Sequence, residues 1–210
     1  MATTLQFDRE KMRAVILHVC HSCEPSELGA VKLNKVLYYL DMLRYVDTRN
    51  AVTGATYRKR PNGPTSDQLL FQLREMAQAE DIEVRDVEYH GFIKKEYRAL
   101  TPEPAHVLND EEIALLDEVI DFVCRHNTAK SISDFSHSLP WEVVPMGGVI
   151  PYHTAMLLLP SQPSPEAIEI SETGVDEVGR ARSQEDALGM SELGAFRGRV
   201  LASIGQAQPR

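Results

Sequence analysis

The chain has no apolar run approaching the ~20 residues that cross a bilayer; stretches such as "AMLLLP" are far shorter. Its first residues, "MATTLQFDREKMRAV", lack the basic segment and apolar stretch of a secretory leader. Three cysteines form no even-numbered disulfide framework. Together these absences point to a cytoplasmic protein with no membrane partner. A net positive charge is also missing: 22 Lys and Arg against 31 Asp and Glu give −9. That balance argues against nucleic acid as the main partner, although a local basic patch can overcome it. Neither G-x-x-x-x-G-K-[ST], G-x-G-x-x-G nor G-x-S-x-G occurs.

What is present is an ordinary globular composition, 43% hydrophobic and 25% charged, enough for a sizeable core. In "FDREKMRAVILHVCHSC", Asp8 stands at an N-cap position, and Met12, Val15, Ile16 and Val19 recur at helical spacing. "ELGAVKLNKVLYYLDMLRYV" repeats the pattern, with Leu33, Val36, Leu37 and Leu40 in one stripe. "ATYRKRPNGP" predicts a strand over 55–60 and a turn at Asn62-Gly63-Pro64. Thr65 and Gln68 then have capping-box spacing for a third helix. "DIEVRDVEYHGFIKKEYRAL" alternates on both sides of His90-Gly91, as a β-hairpin does. "NDEEIALLDEVIDFVCRHN" is the clearest helix, with Asn109 and Glu112 as capping box. A short helical piece around 132–138, a Gly-Gly loop and one or two helical turns in "TAMLLL" follow.

Beyond Gln162 the sequence is rich in Ser, Pro, Gly and Glu, has no lysine and shows weak periodicity. The expected architecture is therefore a mostly helical α+β single domain over 1–160 with a small antiparallel sheet or hairpin. A weakly structured linker and tail would occupy 161–210, with a short helix in "SELGAFRGRVLASI".

Three stretches invite a chemical reading. "HVCHSC" contains Cys20-x-x-Cys23 with His18 and His21, but Cys124 has no neighbouring cysteine to complete a zinc site, so helix packing accounts better for the motif. "YRKRPNGP" resembles a phosphate loop before a helix; yet its one glycine is followed by proline, and Arg58, Lys59 and Arg60 alternate across a strand. His137, near Trp141, is a candidate base without a recognisable nucleophile. No catalytic, cofactor or metal set emerges.

The chain resembles the Panacea domain of SocA-like antitoxins in three places. "KLNKVLYYLDMLRY" is similar to its Lys-Leu-x-Lys-x-Leu-Tyr-Tyr helix, here Lys32, Leu33, Lys35, Leu37, Tyr38 and Tyr39. "TGATYRKRPNGPTSDQL" resembles its strand and Gly-Pro turn, with Asn62 where an aromatic often stands. "FSHSLPWEVVPMGGVIPY" matches its Ser-His, Trp and Ile-Pro-Tyr segment in Ser136, His137, Trp141, Ile150, Pro151 and Tyr152. The resemblance spans about residues 8 to 160. It implies a non-enzymatic antitoxin that binds a cognate protein toxin, with an ATP-dependent protease as a further partner where the antitoxin acts as an adaptor.

Aromatic and arginine side chains carry most interface energy. The expected partner-binding residues are Tyr38, Tyr39, Tyr57, Arg58, Arg60, Asn62, His137 and Trp141, although Tyr38 and Trp141 also fit core packing. The alternative is a nucleic-acid-binding autorepressor, using a basic edge formed if the hairpin with Lys94, Lys95 and Arg98 pairs with the strand over 55–60.

Overall fold

The architecture is built around a helix that is buried on nearly every side. In the computed structural model, which describes residues 5–89 and 91–158, α2 (Ala30–Thr48) carries Leu33, Val36, Leu37, Tyr38, Tyr39, Leu40, Met42 and Leu43, each 2% exposed or less. Apolar residues on more than one face of a helix mean that other elements surround it. Around α2 pack α1 (Arg9–Ser22), α4 (Asp110–Ile120), a π-helical turn (Asp121–Arg125) and α5 (Ala129–Phe135), together with strands β2 (Gly63–Ser66) and β4 (Phe92–Ala99). The single stripe expected from the sequence is only part of what α2 buries.

The helix ends follow their local chemistry. Asp8 Oδ1 accepts the Lys11 N–H at 2.9 Å and starts α1. Asn109 and Glu112 form a reciprocal capping box on α4, satisfying two otherwise orphaned donors. At the end of α4 the hydrogen bonding widens by one residue into the π turn, closed by His126 N–H to Asp121 O at 3.2 Å.

One junction differs from the expectation. Gly63 to Ser66 do not lead straight into a helix; they form β2, antiparallel to β1 (Tyr57–Arg60), with Arg60 opposite Gly63 and Tyr57 opposite Ser66. Thr65 is a strand residue. Ser66 Oγ accepts the Gln68 and Leu69 N–H groups at 3.2 Å each, and α3 (Leu69–Gln78) starts there. A second partner for β1, β5 (Val149–Ile150), lies in the expected Gly-Gly loop and gives the sheet order β2-β1-β5.

The hairpin of β3 (Ile82–Tyr89) and β4 pairs from Ile82 opposite Ala99 outward, as a separate two-stranded sheet. Its turn residue His90 lies outside the described residues. The 132–138 piece overlaps α5, which is followed by α6 (Leu139–Glu142), and residues 154–158 of "TAMLLL" fall in a 3-10 helix (Tyr152–Leu158). The chain divides into two units between Ala155 and Met156, the first compact over the described residues 5–155. Helices α1 to α6 and strands β1 to β5 all belong to the first unit. The expected tail over 161–210 and its short helix lie outside the described residues. Among the described residues no helix is long and apolar enough to cross a membrane.

Candidate partner-binding surface

Every hydrogen-bonding side chain in the run Lys32-Leu33-Asn34-Lys35 reaches a backbone group of another element. Lys32 Nζ donates to Cys124 O in the π turn at 2.7 Å, and Asn34 Oδ1 accepts the Ser66 N–H at 3.1 Å. Lys35, 1% exposed, donates to Asn62 O at 2.6 Å and Pro64 O at 3.1 Å. Burial pulls the Lys35 ammonium down from 10.5 to about 7.

Above Lys35 the β1–β2 turn is closely fitted. Gly63 has φ 88°, a conformation that side chains with a Cβ resist. A Cβ placed there would lie 2.1 Å from Ser136 Oγ and 2.6 Å from Lys35 Nζ. Asn62 O also accepts from Ser133 Oγ at 2.9 Å, so both of its lone pairs are used.

Segment 133–150 clasps the same turn from outside. Trp141 Nε1 donates to Arg60 O at 3.1 Å, and the His137 ring stacks on Trp141 with centroids 4.1 Å apart and planes at 18°. Lys59 Nζ lies 4.0 Å from the Trp141 ring centroid, a cation–π contact. His137 is held below the usual imidazole range, first by desolvation and then by the nearby Lys35 charge; a hydrogen bond to the Pro61 backbone acts the other way. Along β1, Lys59 and the Gly147-Gly148 turn exchange backbone hydrogen bonds of 2.9 Å, and Arg58 Nη1 donates to Gly147 O at 3.2 Å. Arg58 Nε is paired with Asp67 at 2.7 Å.

Beneath the sheet, Asp41 joins α2 to three other segments. Its carboxylate, 0% exposed, accepts from Thr53 N (2.7 Å), Thr53 Oγ1 (2.5 Å), Tyr57 Oη (2.8 Å) and Tyr152 Oη (3.1 Å). Burial raises the Asp41 pKa, and these hydrogen bonds work against the rise.

This geometry sorts the residues expected to meet a partner. Tyr38, Tyr39 and Tyr57 are each 0% exposed, which corrects the expectation that they present aromatic surface. Tyr38 sits edge-to-face with both Tyr39 and Tyr57, at 5.1 and 5.4 Å, inside the core. Apolar neighbours on every side of α2 make burial the favourable fate of those rings. Arg58, His137 and Trp141 are half-buried around the turn, while Arg60 and Asn62 are exposed.

Sequence reasoning missed the apolar groups beside them. Val143 (58% exposed), Met146 (61%) and Val149 (44%) project from the segment after Trp141. The available signal was "WEVVPMGGV", an apolar run broken by Pro and Gly-Gly that no regular element can bury. The surface thus combines apolar side chains, the Trp141 ring and the basic strand β1, all held on a hydrogen-bonded frame.

The basic edge imagined for nucleic acid does not form. β1 pairs with β2 and β5, whereas Lys94, Lys95 and Arg98 belong to the other sheet. There Lys95 pairs with Asp86 at 2.7 Å, and Lys94 reaches Glu96 at 3.3 Å as well as Ser26 O. In "HVCHSC", His18 is held by Glu103 and Asp117, and His21 bonds Thr101 O at 2.9 Å. Among the described residues no group of three or more His, Cys, Asp and Glu could hold a metal ion.

The family model described as "Antitoxin SocA-like, Panacea domain" matches residues 33–142. That span holds Lys35, the β1–β2 turn, His137 and Trp141. No curated protein and no solved structure matches the chain.

Proposed function

The chain belongs to the SocA-like antitoxin family with its Panacea domain, and from that premise we propose that it neutralises a cognate protein toxin by binding it directly. The contact surface is the one built on the β1–β2 turn: Trp141, Val143, Met146 and Val149, bordered by Arg60, Lys59 and Asn62. One observation carries this reading. Three exposed apolar side chains within seven residues stand on a backbone that Arg58, Lys59 and Trp141 hold in place. A preformed surface loses little conformational entropy on binding, and a cluster of apolar groups beside Trp and Arg has the make-up of interface hot spots.

The protein acts on its partner by covering it, and no turnover is assigned to it. Lys35, Asp41 and His137 have shifted acidity constants, but each has a structural explanation. Lys35 and Asp41 tie buried backbone and hydroxyl groups together, and His137 packs on Trp141. Delivery of the bound toxin to an ATP-dependent protease is a separable later step, read from the toxin's half-life with and without this chain.

The direct test is co-expression with the product of the adjacent reading frame. Neutralisation predicts growth arrest by that product alone, relief when this chain is present, and co-purification of the two. Arrest that persists, or relief without a complex, contradicts it.

A further inference from the structure

One edge of the sheet β2-β1-β5 is closed and the other is open. On the outer side of β2, Asn34 Oδ1 accepts the Ser66 N–H at 3.1 Å and Lys35 Nζ donates to Pro64 O at 3.1 Å. Helix α2 thus occupies backbone groups that β1 leaves free. The opposite edge is β5, and a bulge sets its geometry. Gly147 N–H bonds Lys59 O and Lys59 N–H bonds Gly148 O, each at 2.9 Å, so two glycines face one lysine. Gly147 holds a left-handed φ of 79°. Gly148 N–H closes a turn onto Pro145 O at 2.8 Å, with Met146 at its tip.

Beyond the bulge the antiparallel ladder alternates. Arg58 and Val149 are the next pair, followed by Tyr57 and Ile150. Because Lys59 bonds to Gly148, the Arg58–Val149 pair exchanges no hydrogen bond, and Val149 N–H and C=O point away from β1. Among the described residues neither group has a hydrogen-bond partner. Pro151 ends the edge: it has no N–H, and its carbonyl accepts from Thr154 N at 3.0 Å and Thr154 Oγ1 at 2.6 Å. An outward donor and acceptor on one strand residue are both satisfied by a single residue of another extended chain.

The side chains around Val149 define what such a chain must carry. Val149 and Met146 are exposed and apolar. Arg58 lies opposite Val149 and on the same face, with Arg60 one repeat further along β1. Arg58 is paired with Asp67 at 2.7 Å, whereas Arg60 is exposed and, among the described residues, has no ion-pair partner. An apolar side chain close to a carboxylate complements this pattern.

We propose that an extended segment of the cognate toxin adds to β5 as the next strand of the sheet, exchanging two backbone hydrogen bonds with Val149, covering Val149 and Met146 with an apolar side chain and setting a carboxylate on Arg60. The inference rests on the reading of this surface as the toxin-contact face and adds how the contact is made. Only Val149 is open, so the pairing is a single bridge that fixes register, and side chains supply the rest of the affinity.

The experiment is amide hydrogen exchange of the full isotope-labelled chain, read residue by residue by NMR, alone and with the purified product of the adjacent reading frame. In the free chain the Val149 amide exchanges fast, while Lys59, bonded inside the sheet, is slow in both states. With the product at about 100 times Kd, exchange at Val149 passes through the roughly 1% of free chain and slows about 100-fold. Val149→Pro removes the outward N–H, spares the bonds to β1 and raises Kd by about 10-fold or more. Arg60→Glu slows association by about 10-fold at low salt, and added salt closes the gap. A Val149 amide already slow in the free chain, or one that stays fast in the complex, overturns the proposal. A complex that Val143→Asp/Met146→Asp abolishes while the Val149 amide stays fast removes the strand pairing alone; absence of any complex removes the reading of the surface with it. Exchange in the unsubstituted chain decides the matter even where Val149→Pro folds poorly.

Discussion

Replacing Lys35 with Met removes one ammonium from the interior and keeps an unbranched side chain of similar length. Lys35 is 1% exposed, and its hydrogen-bond partners among the described residues are two carbonyl oxygens, with no carboxylate in an ion pair. Burial lowers its pKa from 10.5 to about 7. Because the folded value lies below the unfolded one, the unfolded chain binds more protons between them, and stability rises with pH across that window. Integrated from about pH 7 to about pH 8.5, this single group adds roughly 1.5 kcal/mol. Groups that do not feel the Lys35 charge titrate alike in both proteins and cancel in the comparison; His137, which does feel it, is held below 6.5, under this window. Urea unfolding of the native chain and of Lys35→Met at the two pH values measures the difference directly. The native chain gains roughly 1.5 kcal/mol relative to the variant as pH rises. Parallel stability curves would refute the claim that this amine is buried without a counter-charge.

The other predictions concern the frame around that amine and its neighbours. Gly63→Ala meets both a left-handed φ of 88° and the Ser136 and Lys35 side chains; thermal unfolding should show a loss of about 3 kcal/mol. Tyr57→Ala opens a cavity in the core and should cost about 3–5 kcal/mol in denaturant unfolding. Tyr57→Phe, which removes only the hydrogen bond to Asp41, should cost about 1–2 kcal/mol. His18 places each ring nitrogen 2.8 Å from a carboxylate, Glu103 or Asp117, so both nitrogens donate only as imidazolium. Its burial favours the neutral ring, but those two hydrogen bonds outweigh burial and raise it above 6.5. The resulting stability is complete below the unfolded value and disappears as pH rises through the folded one. His18→Asn should remove that pH-dependent part in an unfolding series, while an unchanged pH profile would dissociate His18 from it.

Features governed by neighbouring residues were legible in the sequence. Asp8 and the Asn109–Glu112 pair cap helices because a side-chain oxygen two or three residues away decides the matter. Alternation around His90-Gly91 likewise foretold β3 and β4. Features governed by tertiary partners were not legible. Thr65 and Gln68 have the spacing of a cap, but pairing with β1 claims Thr65 for a strand and leaves the capping to Ser66. Lys32 and Lys35 look like a solvated helix face until carbonyls from the π turn and the β1–β2 turn arrive over them. Tyr38, Tyr39 and Tyr57 have the composition of a hot spot, and only the enclosure of α2 shows that they are core. Meanwhile the three sequence stretches that carry the family resemblance converge in space. Lys35 meets the Asn62–Pro64 turn, and Trp141 meets Arg60.

Recognition through this surface is tested most directly by the affinity of the purified adjacent-frame product for Val143→Asp/Met146→Asp. Burying the exposed parts of those two side chains contributes about 2–3 kcal/mol, and a carboxylate placed there adds desolvation cost. Calorimetric titration should therefore show Kd rising by about 100-fold or more, with the thermal midpoint unchanged. Leu70→Asp/Phe71→Asp, on the exposed face of α3, should bind as the native chain does. A folded Val143→Asp/Met146→Asp protein that binds with native affinity would place the contact elsewhere and contradict the proposed mode of neutralisation.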